Sequence, residues 1–413
     1  MSSAGASPRT ESRRPGPGSP TGSGRLVGGG ALGGALGVPT MVLVTLVTVL
    51  SKGPLFLPGA VSDLLQRDLG LGPGGIGLII ALYWTGSTYG AYLSRRGAGG
   101  GVVERRIGVA LLATATVLVV TAVWPLVGLW AGAVVGGLVY GYTQPHTNFL
   151  LVRRCAPRVQ GVAFGIKQAS IPLAVLFYSL AVPAIAVPAG WRPLFLVAGL
   201  LCAAQGGHLL TFTAARGTRS RARQAAERLT LDRQLFALAA AGACGAAVGN
   251  SLGGFLFSSL THDGNSTLTA SLLVSGGSVL AAVVRIVVGR RVDRSPTRPL
   301  RLLMLLFLLG AAGTALLTVP LLPAQLLGTL LAFGGGWGWA GLLHHTASAA
   351  YPGHEAAATA YTQMGVSIGG ALGPLGFGLL ITATGHTLAW WSMTALALAA
   401  CLCLTRAGHS RLD

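Results

Sequence analysis

The 413-residue chain is 52% hydrophobic and only 9% charged, with a formal net charge of +19. A soluble domain covers its surface with roughly 25% charged residues, so a mostly water-facing surface is excluded. At about 20 residues per crossing plus short connections, the length predicts about twelve transmembrane helices.

Residues 1–35 are rich in Ser, Gly, Pro and Arg and carry almost no large apolar side chain, which predicts a disordered tail. The apolar run from Val38 is too long for a secretory signal and lacks a clear small-x-small cleavage site. Six apolar stretches follow, at residues 37–58, 75–95, 104–124, 127–152, 159–186 and 191–214. A basic interruption, residues 216–232, divides them from six more at 233–259, 267–290, 299–319, 322–349, 356–383 and 386–406. The pattern predicts an all-α polytopic membrane protein with an N-terminal six-helix bundle over 36–215. A linker over 216–232, a C-terminal bundle over 233–406 and a short tail over 407–413 complete it.

The charge is explained by topology rather than by nucleic acid, because the arginines sit between apolar runs. All basic residues but Lys52 and Lys167 are arginines. With the N-terminus inside, nearly all of them fall in the tails or the cytoplasmic connections. The exceptions are Arg67 and Arg192 outside and Arg285 within the eighth stretch. This bias places both termini in the cytoplasm of a cell-membrane protein. Cys155, Cys202, Cys244, Cys401 and Cys403 form no CxxC pair and read as small apolar packing residues.

The two sets of stretches echo each other. At an offset of 195 residues, Gly141 and Tyr142 align with Gly336 and Trp337, Pro157 with Pro352, and Gln168 with Gln363. Internal repeats in a helical membrane protein point to pseudo-symmetric halves with a binding site between them.

After the eighth stretch the chain reads GRRVDRSPTRPLR, and after the second it reads GAYLSRRG. Gly289, Asp293 and Arg294 fit a Gly-x-x-x-Asp-Arg core, and Gly90, Arg95 and Gly97 fit its first-half counterpart, with Ser94 at the acidic position. In these motifs and its 6+6 topology the chain resembles the major facilitator superfamily over nearly its whole length, tail and linker aside. The resemblance implies alternating access and a cytoplasmic gate at this motif. It also implies that Asp293 faces the start of the fifth stretch near Val159, where free N–H groups favour an anion. Ser94 implies a latch weakened or replaced on the other side. Gly373-Pro374 matches a pair that antiporters of the superfamily carry in their fifth helix. Here it lies in the eleventh, where Gly365, Gly369 and Gly373 form a stripe suited to close packing.

Ionisable groups inside spans mark pathways. Three basic residues qualify, Lys167, Lys52 and Arg285, and no acid accompanies them in any span. That pattern favours an anion as substrate and disfavours a proton-coupled pump for cations, which needs a buried carboxylate. Lys167, near the middle of the fifth stretch, is the first choice, with a structural bond to polar groups of the fourth stretch as its alternative. Lys52 stays open between a site role and snorkelling outward, and Arg285 reads equally as snorkelling or as part of the gate cluster. Tyr142, Gln144, His146 and Asn148 of the fourth stretch and Gln168 and Ser170 of the fifth are available to complete a site. Trp337 and Gln363 are their second-half counterparts. Tyr83 and Trp84 read equally as lining or packing residues. His146 stays open between a proton carrier and a structural histidine, and His344 and His345 read as interfacial. No cofactor or metal is expected, and a proton or ion gradient is left open as the drive.

The sequence thus predicts a monomeric secondary transporter of a small solute, with an anion as the leading class and hydrophobic-compound efflux as the alternative. A membrane enzyme would need clustered His, Cys or acidic residues, and no HExxH motif is present. A non-transporting sensor would need an appended signalling domain. ATP drive would need a GxxxxGK[ST] loop, which is absent.

Overall fold

The computed structural model describes residues 29–96, 102–156, 159–212, 232–294, 299–352 and 354–408, all of them in helices and short connections. Within lipid no water satisfies backbone polar groups, so the apolar stretches fold as helices that satisfy their own. Ten helices among the described residues are long and apolar enough to cross a membrane. Two bent pairs bring the number of crossings to twelve.

The first crossing is α1 (Gly29–Ser51) followed by α2 (Gly53–Ala60), bent by 52° at Lys52. A short surface helix, α3 (Ser62–Leu69), ends on Gly70 in the left-handed region (φ 66°) and turns by 114° into α4 (Pro73–Arg96). Then come α5 (Val103–Val123), α6 (Pro125–Arg154) and α7 (Gln160–Ala181). The last continues through a π-helical turn, Val182–Ala186, into α8 (Val187–Ala189), and α9 (Trp191–Leu210) closes the first half. The second half runs through α10 (Arg233–His262), α11 (Thr267–Arg294) and α12 (Pro299–Leu316). Its fourth crossing is α13 (Leu322–Leu331), a π-helical turn at Ala332–Gly336 and α14 (Ala340–Ala350). The chain then ends through α15 (Glu355–Thr384) and α16 (His386–Gly408).

These elements form two pseudo-symmetric six-crossing bundles, and each predicted stretch coincides with one crossing to within a few residues at most ends. The basic linker lies almost wholly outside the described residues, as do most of the predicted tails. All five cysteines are free.

The halves meet along α4 with α15, α7 with α11, and α2 with α10. At the end remote from most arginines the contact is backbone to backbone. A Cβ on Gly59 would lie 2.2 Å from the Gly254 carbonyl oxygen, and Thr261 Oγ1 donates to Asp63 Oδ2 across the seam at 2.8 Å. Inside the second half, the stripe of Gly365, Gly369 and Gly373 on α15 packs directly on Ala239, Ala243 and Ala247 of α10. Gly365 to Gly369 also spells Gly-x-Ser-x-Gly. A nucleophile elbow sits on a strand-to-helix turn, and this string lies in mid-helix.

Candidate functional site

The centre of the molecule is built on the break in the first crossing. Pro54 has no N–H to give the Leu50 carbonyl, and the Leu55 N–H turns to the Lys52 carbonyl at 3.1 Å. Side chains take up the acceptors this disturbs. The Tyr83 hydroxyl donates to Ser51 O at 2.9 Å and the Tyr178 hydroxyl to Val49 O at 2.8 Å, while Cys202 Sγ lies 3.7 Å from Leu50 O.

Lys52, at the bend, is fully buried. Its Nζ lies 3.4 Å from the ring centre of Tyr140, 4.6 Å from that of Trp84, 5.0 Å from that of Tyr83 and 6.0 Å from that of Phe56. Among the described residues no acceptor takes any of its N–H groups. A desolvated cation–π contact is worth about 2 kcal/mol at best. Each buried donor left unfilled costs about 1–3 kcal/mol, more when charged. Rings alone therefore leave a three-donor ammonium undersatisfied.

Arg285 of α11 brings a second basic group, buried, its Cζ 5.6 Å from the ring centre of Trp337. Its fork is held by carbonyls: Nε and NH2 donate to Trp337 O at 3.0 and 2.7 Å, and NH1 donates to Gln168 O at 2.5 Å. Trp337 follows the π-helical turn at Ala332–Gly336, which places its carbonyl toward α11.

Three ties cross between the halves here. Arg285 reaches Gln168 of α7, Trp84 Nε1 of α4 donates to Asn250 Oδ1 of α10 at 3.0 Å, and Phe56 meets Trp337 edge-on at 6.0 Å. Every acid on the described helices lies near a helix end. The box thus holds two cations, five aromatic rings and no carboxylate.

Lys167 lies elsewhere. It is buried, but its Nζ donates to Gln144 O at 3.2 Å and to Asn148 Oδ1, so it ties α7 to α6 within the first half. Tyr142 stacks on His146 at 4.6 Å and lines a lateral groove with Arg105 and Arg106 rather than the box. Tyr140, two residues earlier, takes the inward face, as a divergence of about 200° requires. His146 Nδ1 lies 2.8 Å from the Tyr142 carbonyl and 3.4 Å from Ser94 Oγ. Gln363 is exposed beside His344, whose Nδ1 lies 3.0 Å from Thr362 Oγ1. Of the residues singled out from the sequence, the structure therefore brings Lys52, Arg285, Gln168 and Trp337 together with Tyr83 and Trp84. Phe56, Tyr140 and Asn250 were not legible as members. The Lys-Gly-Pro triplet at residues 52–54 was the available signal, since proline-interrupted crossings build sites of this kind.

Residues 41–374 match the sequence profile of the Major Facilitator Superfamily. The chain belongs to this superfamily. It is accordingly a secondary transporter of a small solute. No curated protein matches it in sequence. Among solved structures, it is similar to a bacterial homologue of the human lysosomal transporter Spinster, in an inward-facing and occupied conformation. Identity is 16%, TM-score 0.68, and coverage 91% of this chain and 97% of that one. It is also similar to the nucleoside transporter NupG, with 14% identity, TM-score 0.68 and coverage of 90% and 98%. The human organic anion transporter MFSD10 aligns with 16% identity, TM-score 0.60 and coverage of 90% and 99%. These likenesses are in fold.

The facilitator gate motif is partly described. Gly90 is buried where α4 crosses α6, and a Cβ there would lie 2.1 Å from the Leu138 carbonyl oxygen. A Cβ on Gly289 would meet nothing within 4 Å among the described residues outside its own helix. Ser94, at the acidic position of the first-half motif, is buried beside His146. The side chains of Arg95, Asp293 and Arg294, and all of Gly97, lie outside the described residues, so the expected contact of Asp293 with the start of α7 does as well. At the same end, Glu104 in the first turn of α5 pairs with Arg154 in the last turn of α6. Each charge there complements its own helix dipole.

Proposed function

We propose that this facilitator carries a small anion, bound between the halves by Lys52 and Arg285 and walled by Tyr83, Trp84, Tyr140 and Trp337. The single observation behind this reading is the Lys52 ammonium, fully buried and without a hydrogen-bond acceptor among the described residues. A carboxylate or other oxyanion supplies the missing acceptors and neutralises the pair, whereas a cation adds a third positive charge where dielectric screening is weak. The structural relatives do not choose the substrate, since one is titled a nucleoside transporter and another an organic anion transporter. The charge in the box favours an anion. The aromatic walls favour organic anions with a flat or apolar body over bare inorganic ones.

Alternating access follows from the arrangement, because the box is shared by both halves and tied across them at Trp84–Asn250 and Arg285–Gln168. The arginine distribution supports a topology with both termini cytoplasmic.

The test is uptake by proteoliposomes offered a panel of aromatic and aliphatic carboxylates, phosphate and cationic dyes, with Lys52→Gln as the control. The expected result is carboxylate movement that Lys52→Gln abolishes, with no movement of dyes. Dye transport that survives Lys52→Gln would refute the anion reading and favour hydrophobic-compound efflux.

A further inference from the structure

Away from the box, a second pair of arginines converges at the membrane boundary. Arg233 opens α10 and Arg406 lies in the last turn of α16, and the two mark the ends of their spans at the same face. Between them runs a groove of about 590 Å³, lined below the guanidinium groups by Phe236, Ala237, Ala240 and Cys403. The Phe236 ring is 63% exposed along it.

Neither guanidinium makes a hydrogen bond or ion pair among the described residues. The neighbouring acid does not serve them. Asp232 Oδ1 caps α10 by accepting the Leu235 N–H at 2.8 Å and also accepts the Tyr351 hydroxyl at 2.5 Å. The groove between α4, α5 and α6 offers a contrast. It also carries two arginines, but Arg105 Nε already donates to the Leu210 and Phe212 carbonyls at 3.1 and 2.7 Å. Of these two grooves, the α10–α16 one has both cations without such partners among the described residues.

Two open guanidinium forks above an apolar trough match a ligand that is anionic at one end and apolar along its length. A guanidinium binds phosphate through paired N–H groups, and basic pockets between helices at the membrane surface select anionic headgroups. A free phosphate would use the forks but leave the Phe236 ring and the trough uncovered. A zwitterionic lipid would bring its own cation against the arginines.

We propose that the α10–α16 groove binds one anionic phospholipid, its phosphate held by Arg233 and Arg406 and one acyl chain laid along Phe236, Ala237 and Ala240. The site is separate from the substrate box and does not depend on what the box carries.

The test uses the full chain in nanodiscs with trace phosphatidylglycerol bearing a photoreactive acyl chain, and phosphatidylcholine with the same chain for comparison. Cross-links are mapped by peptide mass spectrometry. The expected result is phosphatidylglycerol labelling of the 236–240 and 403–406 peptides at about ten times the phosphatidylcholine level. It should fall to that level in the Arg233→Gln, Arg406→Gln double variant. The Arg233→Lys, Arg406→Lys variant keeps both charges but not the forks and should retain part of the labelling, still above the phosphatidylcholine level, which keeps the proposal testable should the Gln pair fail to fold. Soluble glycerol phosphate should not compete. Equal labelling by the two lipids, or undiminished labelling of the Gln pair, overturns the proposal. So does loss of labelling in the Lys pair, or competition by glycerol phosphate, which would mark a site for free phosphate esters.

Discussion

Two lysines, Lys52 and Lys167, are buried almost equally in the first half, at 0% and 5% exposure, yet their surroundings are opposites. Lys167 is met by the Gln144 carbonyl and the Asn148 amide oxygen, both from the neighbouring α6. Lys52 is met by four rings and by no acceptor among the described residues. Burial alone therefore does not mark a substrate group. On the proposed reading an unmet charge at the seam between the halves does, whereas a met charge inside one half acts as a brace. The contrast has a backbone origin. Lys52 sits at a proline-induced bend whose loose carbonyls are taken by tyrosine hydroxyls, while Lys167 projects from an uninterrupted stretch of α7.

The largest effect that would sharpen the comparison is expected from Lys52→Gln. Losing a buried charge from an anion should lower transport at least about 30-fold, read as initial uptake rate, with the protein still folded. Arg285→Gln comes next. It removes the second charge and the bonds to Trp337 and Gln168, so uptake should fall about tenfold and the thermal midpoint should drop. Arg285→Lys should recover only part of this, because an ammonium does not reproduce the fork. Asn250→Ala leaves the buried Trp84 N–H unpaired, a cost of about 1–3 kcal/mol. Its main signature should be a lower thermal midpoint with uptake reduced less than tenfold. Lys167→Gln should behave as the loss of a brace, lowering the midpoint while uptake stays within about threefold. A loss of uptake equal to that of Lys52→Gln would break the comparison.

The smallest effect is expected at the rim, outside the spans. Burial raises the carboxyl pKa of Asp263 above its ordinary range, against the opposing hydrogen bond from Gln325. A raised folded-state value means that the stabilisation is full below the unfolded carboxylate range and is lost as pH rises through the folded value. Asp263→Asn should flatten that part of the stability profile, measured by thermal melts across the acid range, and leave uptake unchanged.

The crossings were legible because an apolar stretch in lipid has few ways to satisfy its backbone, and length and arginine placement then count the helices. The 195-residue echo pointed to the two bundles. The box was only half legible. Lys52 and Arg285 stood out as charges in apolar runs, and Gln168 and Trp337 through the repeat. The roles of the last two, however, are played by their backbone carbonyls, which every residue has. Tyr142 drew attention where Tyr140 lies against the Lys52 ammonium, because composition does not reveal which face of a straight helix looks inward. Lys167 is first on depth, and its alternative, a structural partner for polar groups of the fourth stretch, matches its bonds to Gln144 and Asn148.

The most direct measurement is equilibrium binding of the best-transported carboxylate to the detergent-solubilised wild type, Lys52→Gln and Lys167→Gln, by isothermal titration calorimetry. The account predicts wild-type binding that Lys167→Gln keeps within about threefold and Lys52→Gln weakens at least about 30-fold. Binding that survives in Lys52→Gln and disappears in Lys167→Gln would contradict it and move the substrate site to the α6–α7 pocket.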